Sequence, residues 1–217
     1  SGYGNSNNDF SIQPSPLTDF STIKAGTWIV PMSSSVDSVI TTNGYLPAQN
    51  RIENLRIEGM YTARAGLNLN AGVESPDDAI SGLILRDIAV TNCVNKNIDV
   101  SHNADFSLFN IRAWTKNTSG DFVLGVYDIV SNSPNSEVDM DKIFSYSPSG
   151  LLLNDNFWHC ENSIINALTI NGNYGSYWFT NSYLANLYQN VLQSRISFTG
   201  NYSVSLYIVN SFIALNG

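Results

Sequence analysis

The segment Asn156-Phe157-Trp158-His159-Cys160-Glu161-Asn162 is the densest run of chemically capable side chains in this 217-residue sequence. On an extended strand alternate residues share a face, so His159 and Glu161 point the same way and can act as an acid/base pair. Cys160 then points to the opposite face, which removes a Cys-His nucleophile pairing. The structural alternative is a corner whose polar groups are satisfied internally. Further carboxylates offer a second chemistry. Glycoside hydrolysis needs two carboxyl groups about 5 to 9.5 Å apart, and Glu53 with Asp87, or Asp139 and Asp141, are candidates if the fold brings them together. An acidic chain also produces solvated surface carboxylates that do nothing. With only two histidines, the second being His102, no Ser-His-Asp spacing emerges. No phosphate-binding glycine loop and no zinc-type His/Cys spacing is present, so neither a cofactor nor a metal is expected.

The elements that must position these residues announce themselves as a recurring pattern: apolar, any, apolar or small, any, then a small or turn-forming residue. It reads Leu55-Arg56-Ile57-Glu58-Gly59, and it returns from Ile88, Ile111, Ile143, Leu168 and Ile196, at intervals of about 23 to 33 residues. A second apolar stretch follows each copy: Leu67–Leu69, Ile98–Val100, Phe122–Leu124, Leu151–Leu153, Tyr177–Phe179 and Val204–Leu206. The unit is strand, corner, strand, loop. Such units bury their apolar faces by coiling, so that each strand pairs with its counterpart one turn away. The connections are too long and polar for two-residue hairpins, which favours parallel stacking over a meander. Period-two alternation turns Leu55, Ile57, Ile88, Val90, Ile111, Ile143, Leu168, Ile170, Ile196 and Phe198 inward.

Stacking the first strand of every unit in register creates two outward columns. One holds Arg56, Ala89, Arg112, Phe144, Thr169 and Ser197; the next holds Glu58, Thr91, Trp114, Tyr146, Asn171 and Thr199. With strands about 4.8 Å apart, Glu58 and Tyr146 are separated by roughly 14 Å, the length of a few sugar units. Arg56, Glu58, Arg112, Trp114 and Tyr146, joined by Trp158, supply the flat rings and hydrogen-bonding groups that oligosaccharides need. The same aromatics could instead pack against a neighbouring subunit. In this register Glu53 and Asp87 sit on adjacent coils, one residue displaced.

Asn and Ser together supply about a quarter of the chain, suited to corners and stacked ladders. Charged residues are 13% and hydrophobics 43%, a balance that argues against disorder. Net charge is −8, with only ten scattered Lys and Arg, which disfavours nucleic acid and anionic membrane surfaces as partners. There is no apolar run of about 18 residues and no signal-peptide pattern. The Ser1 start suggests a piece of something longer. Cys93 and Cys160 occupy different positions of the pattern, so a disulfide is out of reach and buried thiols are expected. Residues 1–50 form a lead-in or capping segment, with strands expected within 26–32 and 39–42, and 51–217 a single repetitive domain. Between Tyr183 and Leu192 helical spacing competes with a further turn of the pattern. The apolar stretch Phe212 to Leu215 would leave a bare hydrophobic end, so a homotrimer is expected.

The stretches IENLRIEGM, ISGLILRDIAVTNC and ENSIINALTINGN resemble coils of a right-handed parallel β-helix of the pectin-lyase-like type. Within that group the Asn/Ser-rich, acidic character is similar to bacteriophage tailspikes and tail fibres. The resemblance spans about residues 51–217 and lies in style rather than in a diagnostic motif. It implies an all-β, right-handed parallel β-helix assembled side by side as a trimer, carried on a virion tail with other tail or baseplate proteins. It further implies recognition, and often depolymerisation, of a host-cell surface polysaccharide. The clustered aspartates and basic arginine of calcium-dependent pectate lyases find no match. A structural shaft carrying a separate recognition domain is the alternative.

Overall fold

The computed structural model describes residues 28–41, 51–69, 80–117, 119–132, 137–154, 157–171, 175–184, 196–199 and 204–213. These form twenty strands: β1 (Trp28–Ile29), β2 (Val36–Thr41), β3 (Arg51–Glu58), β4 (Ala63–Asn68), β5 (Ile80–Ser81), β6 (Ile84–Thr91), β7 (Lys96–Asp99), β8 (Asn103–Ala104), β9 (Phe106–Trp114), β10 (Tyr127–Asn132), β11 (Glu137–Ser145), β12 (Leu151–Asn154), β13 (Phe157–Glu161), β14 (Ile164–Ile165), β15 (Leu168–Asn171), β16 (Gly175–Thr180), β17 (Tyr183–Leu184), β18 (Ile196–Thr199), β19 (Val204–Val209) and β20 (Phe212–Ile213). No helix occurs among the described residues. The expected lead-in over residues 1 to about 22 and most of the Tyr183–Leu192 stretch lie outside them; Tyr183 and Leu184 themselves are strand.

The fold is all-β, and its strands run parallel in two main sheets. One runs β1-β3-β6-β9-β11-β13-β16-β19, with β14, β17 and β20 extending it sideways; the other runs β18-β15-β12-β10-β7-β4-β2. The chain passes from one sheet to the other and back, adding its next strand one step further along each time. Apolar residues of both sheets meet between them. Ile57, Ile88, Val90, Ile111, Ile143, Leu168 and Ile170 are buried as the alternation requires, and Leu55 packs partly buried against the same core. The side chains of Ile196 and Phe198 lie outside the described set.

A bend recurs at one register position in the larger sheet from β3 to β19. Asn54, Asp87, Asn110, Lys142, Asn162, Asn181 and Asn210 follow residues that stack in register, and all seven adopt positive φ between 48° and 57°. Asn and Asp accept this left-handed conformation at least cost among residues with a Cβ, which explains the recurrence of Asn. Beyond the bend, Ser163, Ser182 and Ser211 replace the apolar residues Leu55, Ile88, Ile111 and Ile143. The Ser163 hydroxyl accepts from Ile143 N at 2.9 Å, that of Ser182 from Ser163 N at 3.2 Å, and that of Ser211 from Ser182 N at 3.0 Å. A column of hydroxyls thus satisfies backbone donors that would otherwise be buried unpaired.

Three features of the repeat depart from the sequence reading. Phe122–Leu124 is not a strand; Phe122 makes only an isolated antiparallel bridge to Lys116, and β10 takes its place in the smaller sheet. The copies starting at Leu168 and Ile196 belong to the smaller sheet, stacked on Leu151, whereas Tyr177–Phe179 and Val204–Leu206 join the larger one. Finally, Phe144 is followed outward by Ile164, Tyr183 and Phe212, not by Thr169 and Ser197. The common reason is that each turn carries a third apolar segment, the arm before the bend, whose alternation looks the same as that of the other two.

Candidate functional site

The arms before the bend in β11, β13, β16 and β19 align residue by residue. Asp139 pairs with His159, His159 with Trp178, and Trp178 with Tyr207. Because alternate residues point inward, Val138, Met140, Trp158, Cys160, Tyr177 and Phe179 fill the core beneath this row. The outward row is continuous. His159 Nδ1 lies 3.7 Å from Asp139 Oδ1, its ring meets Trp178 edge to face at 4.7 Å, and Trp178 stacks on Tyr207 at 5.0 Å with 7° between planes. Tyr207 remains 47% exposed and the His159 side chain 48%. The next outward row holds Asp141, Glu161 and Thr180, and the one on the other side Glu137, Phe157 and Ser176.

Asp141 and Glu161 are therefore direct neighbours on adjacent strands, about 4.8 Å apart at the backbone. Asp141 Oδ1 accepts from Asn162 Nδ2 at 2.9 Å, and Lys142 Nζ stands 3.9 Å from Oδ2. His159 and Glu161 share the outward face, as the alternation requires, and Cys160 points the opposite way. That thiol is buried and unpaired with Cys93, and burial pushes its ionisation up to about 12, which makes it inert. Among the described residues no group of three or more His, Cys, Asp and Glu is arranged to hold a metal ion.

The other expected site residues go elsewhere. Trp114 is 9% exposed and Tyr146 5%; their rings do sit one strand apart, edge to face at 6.3 Å, but the chain itself covers them. A sugar cannot stack on a ring that solvent does not reach, so the expectation of an exposed aromatic column here is overturned. Arg112 is buried with its guanidinium 5.1 Å over Phe144, and Arg56 is half-buried, 5.7 Å over Trp28. Glu58 is buried too. Its Oε2 accepts from Thr91 Oγ1 at 2.7 Å and from Asn92 Nδ2 at 3.3 Å, its Oε1 from Met60 N at 3.0 Å, and desolvation raises its pKa despite these bonds. Trp158 is fully buried, edge to face against Phe106 at 5.8 Å, because the alternation that exposes His159 turns its neighbours inward.

Glu53 and Asp87 do occupy adjacent strands with a one-residue offset, since Glu53 pairs with Arg86. They nevertheless serve different ends. Glu53 lies 3.9 Å from Arg51 on the surface, and Asp87 stands in the left-handed bend, accepting from Asn110 Nδ2 at 2.7 Å. His102 occupies a corner at φ 60°. Trp178 and Tyr207 were missed as site residues. Their signal was the alternation in Tyr177-Trp178-Phe179, which turns Trp178 outward once Tyr177 and Phe179 are known to be inside.

A separate polar cluster is buried at the corner between the two sheets. Asp128 Oδ1 accepts from Asn97 Nδ2 at 2.9 Å, and its Oδ2 from Ser145 Oγ at 2.7 Å and Ser147 N at 2.8 Å. Complete burial pushes its pKa up to about 6, with those hydrogen bonds pulling the other way. All acceptor capacity turned inward makes this a structural knot rather than a binding site. Compared with protein-family models, curated proteins and solved structures, the chain matches none.

Proposed function

We propose that the chain is a right-handed parallel β-helix from a bacteriophage tailspike or tail fibre, acting as a homotrimer on the virion tail, that recognises a host-surface polysaccharide. The observation that carries this reading is the outward row Asp139–His159–Trp178–Tyr207, flanked by Asp141, Glu161 and Thr180. It combines a half-exposed aromatic ring with closely spaced carboxylates, an imidazole and a hydroxyl on a rigid parallel face. Sugars are held by such mixtures of ring contact and hydrogen bonding. The low content of charged residues and the stacked parallel sheets are consistent with the same reading. On this reading the sugar lies against this face rather than on the buried Trp114 and Tyr146.

A depolymerase version rests on Asp141 and Glu161, whose strand separation suits the closer of the two carboxyl spacings used in glycoside cleavage, about 5 to 5.5 Å. A structural shaft is the competing reading, favoured by the outward apolar pair Tyr183 and Phe212, whose rings stack at 4.8 Å.

Titration of the purified protein with long-chain polysaccharide from candidate host bacteria tests the proposal. Saturable binding that is lost on Trp178→Ala or Tyr207→Ala is expected. Failure to bind any host polysaccharide or intact host cell would return the chain to the shaft reading. Chain shortening that stops in Asp141→Asn and Glu161→Gln, with binding retained, would support the enzyme version.

A further inference from the structure

The charge distribution across the candidate face is one-sided. Strand β11 presents Glu137, Asp139 and Asp141 at successive outward positions, and Glu161 stands beside Asp141 on β13. Against these four carboxylates the immediate surroundings set Lys142, 3.9 Å from Asp141, and the titratable ring of His159. Arg86 lies two strands away in the Asp141 row, its guanidinium 5.0 Å over the intervening Phe109. The aromatic half of the face, Trp178 and Tyr207, is flanked by Ser176, Thr180 and Ser205, and strands β16 and β19 that carry it hold no Lys or Arg. The chain as a whole carries −8, so its long-range field has the same sign.

We propose that this face takes a glycan bearing protonated amino groups, an amino sugar without its N-acyl cap, in preference to neutral or acidic glycans. The inference rests on the reading that the face binds glycan, and it names the class. A carboxylate only accepts hydrogen bonds, and an ammonium only donates, three at a time. An amine placed over the β11 row while the neighbouring sugar lies against Tyr207 therefore gains charge-assisted bonds that an N-acetyl group cannot make. A uronate or sialate in the same place would meet Glu137, Asp139 and Asp141 as like charges, and the face would reject it.

The test compares two hexasaccharides with one β-linked backbone, a glucosamine hexamer and its fully N-acetylated counterpart, by calorimetric titration. It is run at about pH 6, above the carboxylate range and below the α-amino range. The amine form should bind about tenfold tighter in low salt, as expected for a few half-exposed charge pairs, and the advantage should shrink as salt rises. Asp139→Asn combined with Asp141→Asn removes the charge and keeps a carbonyl acceptor at each position, so it should weaken the amine form far more than the N-acetylated one and erase the advantage. Trp178→Ala, or Tyr207→Ala at the more exposed ring, should weaken both ligands.

Equal or tighter binding of the N-acetylated or an acidic glycan would overturn the inference and leave the glycan reading standing. Hexalysine binding as tightly as the amino sugar, with both ligands indifferent to Tyr207→Ala, would also overturn it by reducing the face to charge alone. If no glycan of any charge binds, the inference falls together with the reading beneath it.

Discussion

Trp114 shows what one ring can mean at two levels of description. Its position opposite Thr91 and next to Tyr146 follows from the register, but its burial turns it from a ligand platform into packing. Trp114→Ala should therefore cost about 3 kcal/mol of stability, in the range for truncating a buried aromatic, and leave polysaccharide affinity unchanged in the folded fraction. Urea unfolding beside a binding titration separates the two effects. Asp128 leads to a pH prediction. Its pKa is raised from 3.8 to about 6 by burial, so the folded chain holds the proton more tightly than the unfolded one. The stabilisation is fully present below about pH 4, declines as pH rises through 6, and amounts to on the order of 3 kcal/mol between those limits. Unfolding free energies measured from pH 3.5 to 7 should show that decline in the parent chain, and Asp128→Asn should flatten it.

At the scale of the element, the bend column decides where every arm of the larger sheet turns. Six of its seven left-handed positions hold Asn or Asp, and the seventh holds Lys142, which makes an exposed ion pair with Asp141 at 3.9 Å. Lysine adopts positive φ at a cost that asparagine largely avoids, so Lys142→Asn should raise stability by about 0.5 to 1 kcal/mol. A thermal melt that shifts downward would contradict the strain argument. The serine column makes the opposite test. Ser182 accepts from the buried Ser163 N and donates to Thr180 O at 3.0 Å, so Ser182→Ala should cost about 1 to 3 kcal/mol by leaving an amide unpaired. Gly150 marks a third fixed point: φ is +54°, and a Cβ there would lie 1.9 Å from Ala167 O. Alternation alone located the inward residues of these strands. It did not reveal the bend, because a single left-handed asparagine leaves the apolar pattern on either side intact.

For the whole molecule, one group of exposed apolar residues lies together on the last described strands of the larger sheet: Tyr207, Ile208, Val209 and Phe212, with Tyr183 one strand before. If the homotrimer we propose forms through that region, Phe212→Asp should lower the assembly constant, read by light scattering across a dilution series; a parent chain monomeric at every concentration would remove the trimer from the proposal. By itself the sequence determined that the chain is all-β, that its short strands stack parallel, and that Ile57, Ile88, Val90, Ile111, Ile143, Leu168 and Ile170 turn inward, because period-two alternation is a local property of neighbouring residues. It also placed His159 and Glu161 on one face and Cys160 on the other, for the same reason. Only the tertiary structure decided which strands share a sheet, since Leu168–Asn171 and Leu55–Glu58 carry the same pattern yet pair in different sheets. Only it decided that the Trp114 and Tyr146 column is covered while the Trp178 and Tyr207 row is open to solvent. Alternation states that a residue points away from the core between the sheets; whether another part of the chain lies over it depends on contacts between residues far apart in sequence, which no local pattern encodes.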